Sequence, residues 1–173
     1  MNNNNSFLSK IITKQIIIDD DYIRKNYDGH KLDLQRGKAV GKTIIVFEYK
    51  LGDEITLIND SQKANVQKII DGIAQDREKT VAHESQHIHN NAIGYSYLSN
   101  ANNIYECMML ALADEMSAMM AGYMNKTGDV DKAMAETIDN LSGKTRQQYI
   151  QKQFAGHFLE LQKVHGQDKN LFE

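Results

Sequence analysis

A chain of 173 residues with 41 % hydrophobic and 25 % charged residues can bury one real core and has an ordinary globular composition. Its net charge of −3 gives no electrostatic footprint for nucleic acid or an anionic membrane surface, so neither is expected as a partner. No apolar run reaches the roughly 18 residues of a membrane span, and a single cysteine, Cys107, excludes an intrachain disulfide framework.

Residues 1–10 begin with an Asn tract and contain no apolar h-region. A disordered tail without a signal peptide is expected there, with a cytoplasmic location favoured over a secreted one. Residues 11–173 read as a single domain, since no linker or internal repeat divides them. The β-branched run Gln15-Ile16-Ile17-Ile18 predicts a strand. One or two helical turns follow over 19–27, capped by Asp19 or Asp20. Asp28-Gly29 and Arg36-Gly37 punctuate a loop. Residues 42–50 give the best strand pattern, and with a turn at 51–54 and a second strand at 55–58 they predict an antiparallel hairpin.

After Asn59 the apolar period becomes helical. Val66, Ile69, Ile70 and Ile73 predict a helix over 61–75, capped by Asp60 or Ser61, and Asp76 caps another over 77–91. Gly94 and the polar stretch 96–103 end it. Residues 103–125 read as a long apolar helix carrying six of the eight methionines. These point all round the helix, which predicts burial on most sides. Thr127-Gly128-Asp129 breaks it, and helices follow over 129–141 and 145–164, the last with Thr145 and Gln148 in capping-box spacing. Strands first and helices after predict an α+β fold, a small antiparallel sheet followed by a helical core.

The chemistry lies in His83-Glu84-Ser85-Gln86-His87, a His-Glu-x-x-His pentad inside a predicted helix. Residues i and i+4 stand one above the other, so both imidazoles can reach one Zn²⁺. Glu84 is rotated by about 100° from His83, beside the metal and placed to take a proton from a water held there. Two histidines leave room for a third protein ligand and a water. His89 points about 240° round from His83 and reads as a surface residue. Asn90 and Ile93 stand where the metzincin pattern needs Gly and His, which excludes that pattern.

The third ligand is expected from the long apolar helix. Its acidic residues are Glu106, Asp114 and Glu115. Glu115 shares a stripe with Met108, Ala111, Leu112, Ala118, Met119 and Gly122, and a carboxylate there is costly unless a cation pairs with it. Small Ala111, Ala118 and Gly122 would allow a close helix approach. Glu106 reads as an ordinary first-turn acid. Asp114, about 100° off Glu115, suits either an acceptor for a ligand histidine's N–H or a residue reaching solvent or a helix cap.

With His83-Glu84-x-x-His87 followed by Glu115-x-x-Ala118, residues 42–125 resemble the gluzincin group of zinc metallopeptidases, whose third ligand is a Glu on the next helix. The resemblance implies a zincin-like core holding one Zn²⁺ per chain through His83, His87 and Glu115. Glu84 would be the general base and later acid of peptide-bond hydrolysis, and a peptide or protein would be the substrate. Met119 stands where the group often has Asp. Asp114 is the suggested substitute for that support of the first metal histidine. The alternative is a non-catalytic zincin-fold binding or regulatory module.

The remaining signals read as structural. Gly41-Lys42-Thr43 lacks the upstream glycine of a phosphate loop and runs into a strand. Cys107 follows the pentad and reads as a buried thiol. Tyr95, Tyr97 and His157 are weighed as oxyanion donors, and none is assigned.

Overall fold

The structure is a computed structural model that describes residues 10–27, 32, 34–93 and 103–142. The chain divides into two compact units, 1–84 and 85–173, and the division falls inside one helix.

The first unit holds strand β1 (Lys10–Ile18), helix α1 (Asp20–Asn26), strands β2 (Gly37–Val40) and β3 (Thr43–Leu51), helix α2 (Asp60–Gln75) and the first half of helix α3 (Arg77–Ala92). The sheet order is β1-β3-β2. Strand β3 is buried on both faces, Ile44 and Val46 on one and Phe47 and Tyr49 on the other, as befits the central strand. Around Phe47 and Tyr49 the core gathers Ile18, Ile23, Val66, Ile70 and Ile73 from the flanking elements.

The α+β class is present, but the sheet is mixed rather than antiparallel. β1 runs parallel to β3, with Lys10 opposite Thr43 and Ile18 opposite Leu51. β2 runs antiparallel, from Gly37 opposite Val46 to Val40 opposite Thr43. The hairpin is therefore β2–β3, closed by Gly41-Lys42 with Gly41 at φ +58°, where glycine meets no Cβ penalty. The expected partner strand at 55–58 does not form, because both edges of β3 are taken. Its backbone is also committed elsewhere: the Asp20 carboxylate accepts from the Thr56 and Leu57 N–H groups at 2.9 and 3.1 Å, and from the Thr56 hydroxyl at 2.6 Å. Ile55 and Ile58 are buried as parts of a non-strand connection.

Local chemistry explains the helix ends. Asp19 caps α1 by accepting from the Tyr22 N–H at 2.8 Å. Asn59, one residue before the expected cap, starts α2 through a capping box in which Asn59 and Gln62 each accept from the other's backbone N–H at 2.9 Å. Asp76 joins α2 to α3. Its carbonyl accepts from Thr80 N–H and its carboxylate from Arg36, which ties the approach to β2 to the start of α3.

The second unit holds the rest of α3, helix α4 (Ile104–Thr127) and helix α5 (Val130–Ser142). Asn103 caps α4 at its start, and Gly128 ends it at φ +64°, donating its N–H to the Met124 carbonyl. Met119 and Tyr123 of α4 pack with Ala133 of α5, and Asn140 donates to the Tyr123 hydroxyl at 2.7 Å. Burial of α4 on most sides is not found. Cys107, Ala111, Ala118 and Met119 are buried, whereas Met108, Met109 and Met116 are exposed. Among the described residues no helix is long and apolar enough to cross a membrane. The helix expected over 145–164 lies outside the described residues.

Candidate metal centre

Helix α3 carries the pentad in its middle, four turns of regular helix that put His83 and His87 on one side. Both imidazoles are half-buried, and His89 is exposed, as its angular position requires. Glu115 sits at the midpoint of α4, half-buried between the buried residues Ala111 and Ala118. One ligand atom from each of His83, His87 and Glu115 lies within 4.8 Å of the other two.

The donor set fits zinc. Four-coordinate Zn²⁺ with N and O ligands at about 2.0–2.2 Å places neighbouring donor atoms roughly 3.3–3.6 Å apart. His87 Nε2 and Glu115 Oε2 are separated by 3.6 Å. Two imidazoles and one carboxylate also match zinc in softness and leave a coordination position open.

Glu84 is 8 % exposed, a burial that carboxylates seldom reach without partners. It is one turn beyond Thr80 on the side of α3 that faces the start of β2. A Cβ built on Gly37 would meet Thr80 Cγ2 at 2.8 Å, the Ile45 carbonyl at 3.1 Å and Glu84 Cγ at 3.4 Å. The absence of a side chain at Gly37 thus lets this stretch of helix lie directly on the strand. β2 is an edge of the three-stranded sheet, so the residues beside Glu84 belong to a strand with an unshared side among the described residues.

Asp114, the suggested support of the first histidine of the pentad, lies against the second. His87 Nδ1 lies 2.8 Å from Asp114 Oδ2. The other carboxylate oxygen accepts from Asn90 Nδ2 at 2.6 Å. Asn90 also donates to Ser117 Oγ at 2.7 Å and accepts from Gln86 Nε2 at 2.8 Å. Sequence reasoning missed Gln86, Asn90 and Ser117. The available signal was spacing: Asn90 stands three residues after His87, and Asp114 and Ser117 are three apart on the helix that holds Glu115.

Cys107 is buried, and that burial pushes its thiol pKa up. It therefore stays a neutral thiol near pH 7 and is a poor metal ligand, and it is not part of the His-His-Glu group. Tyr95, Tyr97 and His157 lie outside the described residues. No family model, curated protein or solved structure matches the chain.

Proposed function

We propose that the protein is a zinc-dependent peptidase that hydrolyses peptide bonds with Glu84 as general base and later acid. The observation that carries this reading is the convergence of His83, His87 and Glu115 ligand atoms within 4.8 Å, in the spacing of a His-Glu-x-x-His helix and a separate glutamate helix. When bound, zinc supplies Lewis-acid polarisation of a carbonyl oxygen and lowers the pKa of a water.

The chain's own residues do the rest. His83, His87 and Glu115 would hold the ion. Glu84, adjacent in sequence to His83, accepts the proton of the attacking water and returns it to the departing amine. Strand β2 offers main-chain N–H and C=O groups along the sheet edge that ends at Gly37, beside Glu84. An extended peptide added there would be held by backbone hydrogen bonds and would need no particular sequence.

The test is hydrolysis of a mixed peptide library by zinc-loaded wild type and Glu84→Gln. Cleavage by wild type, lost in the variant while zinc is retained, supports the assignment. Zinc held by wild type without cleavage of any peptide would favour the non-catalytic zincin-fold module. The 3.6 Å separation of His87 and Glu115 is also an ion-pair distance. It favours a second reading, a metal-free helical interaction protein in which Glu115 pairs with a base, and metal content separates the two.

A further inference from the structure

The hydrogen bonds around Asn90, behind His87, run in a consistent direction. Ser117 Oγ donates to the Asp114 carbonyl at 2.9 Å, so it accepts from Asn90. Asn90 directs its two N–H bonds to Ser117 Oγ and Asp114 Oδ1, and its own oxygen is occupied by Gln86 Nε2. Turning the Asn90 amide over would set its oxygen against the Asp114 carboxylate and its nitrogen against the Gln86 donor. Asn90 is 5 % exposed, so water is a poor substitute for these partners. With one carboxylate oxygen fixed by Asn90, the other faces His87 Nδ1 as an acceptor at 2.8 Å. An acceptor there requires a proton on Nδ1. The opposite ring nitrogen, Nε2, is the one turned toward Glu115.

We infer that Asp114, clamped by Asn90 and Ser117, is a positioning residue that holds His87 in its Nδ1–H tautomer with the Nε2 lone pair directed into the metal centre. The inference rests on the metal reading proposed above, and it assigns work to three residues outside the ligand set. Asn90 occupies the position whose identity excludes the metzincin pattern, and here it orients the carboxylate that orients the ligand.

The experiment uses full-length protein with ¹⁵N-labelled histidine rings. Long-range ¹H–¹⁵N correlation of the metal-free protein, above the ordinary histidine titration range, reports the His87 tautomer. Zinc affinity is measured separately by chelator competition. Wild type is expected to show the Nδ1–H tautomer. In Asp114→Asn the new amide N–H meets Nδ1, so the proton is expected on Nε2, and zinc binding is expected to weaken about 10–100-fold. Asn90→Ala, which leaves the carboxylate in place, should shift both readouts in the same direction by less, and it serves if Asp114→Asn does not fold. An Nε2–H tautomer or a ring protonated at both nitrogens in wild type, or unchanged tautomer and zinc affinity in both variants, would overturn the inference. A wild type that shows the expected tautomer and binds zinc, yet cleaves no peptide, removes the peptidase reading and leaves the role of Asp114 standing. Failure of wild type to take up zinc overturns both.

Discussion

Gly37 at the start of β2 lies so close to Thr80 of α3 that a Cβ at that position would stand 2.8 Å from Thr80 Cγ2. The Ile45 carbonyl, at 3.1 Å, limits retreat in the other direction. Gly37→Ala therefore forces helix and strand apart or twists Thr80 off its rotamer. The expected cost is about 1–3 kcal/mol, typical of overpacking, measurable by urea unfolding. Because Glu84 is one turn beyond Thr80, hydrolysis should fall along with stability. Gly37→Ala with Thr80→Ser removes the clashing methyl, and it should recover part of both. No recovery would mean that the backbone carbonyl, not Thr80, sets the limit.

Asp20 ties α1 to the 55–58 connection, and its carboxyl pKa is held below the ordinary aspartate value. The Thr56 hydroxyl is the largest cause, followed by the Leu57 and Thr56 N–H groups. A depressed folded-state pKa means that this contribution is present above the unfolded-state pKa, about 4, and is lost as pH falls through the lower folded value. Asp20→Asn should lower the melting temperature at neutral pH. The gap between variant and wild type should close on acidification below about pH 4. A gap that stays constant with pH would mean that the carboxylate's charge is not what matters.

Cys107 should resist thiol reagents in the folded protein, since its side chain is buried and burial also raises its pKa. Labelling should rise to completion on unfolding in denaturant. Rapid labelling of the native protein would show that α4 opens locally around this residue.

Much of the helical layout is legible in the sequence because helix signals are local. The cap-and-period pattern of 59–92 and the Gly128 stop are written within a turn of where they act, and their boundaries differ from expectation by one or two residues. The sheet is less legible because pairing is not local. Nothing between residues 42 and 58 reveals that β3 has its edges filled by β1 and β2, or that Asp20, thirty-six residues upstream, takes the Thr56 N–H. The parallel register of β1 likewise depends on a crossover. At the site, the pentad and Glu115 stand out because a metal demands particular residue types at particular spacings. Asn90 and Ser117 do not stand out: an Asn on a polar helix face and a Ser among alanines are ordinary until their partners are seen. The same holds for Asp114: the sequence pattern suggests it as support for the first histidine of the pentad, and its carboxylate lies 2.8 Å from the second, at His87 Nδ1.

Glu84→Gln keeps the size of the side chain and removes its basicity. It should retain zinc at the wild-type stoichiometry and lose about 10²–10⁴-fold in peptide hydrolysis. Elemental analysis beside a single-turnover assay checks both halves. A fully active variant would remove Glu84 from the chemistry.

Zinc that binds the folded state alone must stabilise it. At a free concentration about 100 times the dissociation constant, the gain is about 2.7 kcal/mol, and chelation should reverse it. A melting temperature indifferent to zinc and to chelator would place any bound ion outside the folded site.

The most direct test of the central claim is the metal content of purified, zinc-reconstituted protein by elemental mass spectrometry, beside His83→Ala and Glu115→Ala. Near one zinc per chain in wild type, sharply reduced in both variants, is the predicted result. Wild type that takes up no zinc after reconstitution would contradict the claim and leave His83, His87 and Glu115 as a metal-free polar cluster.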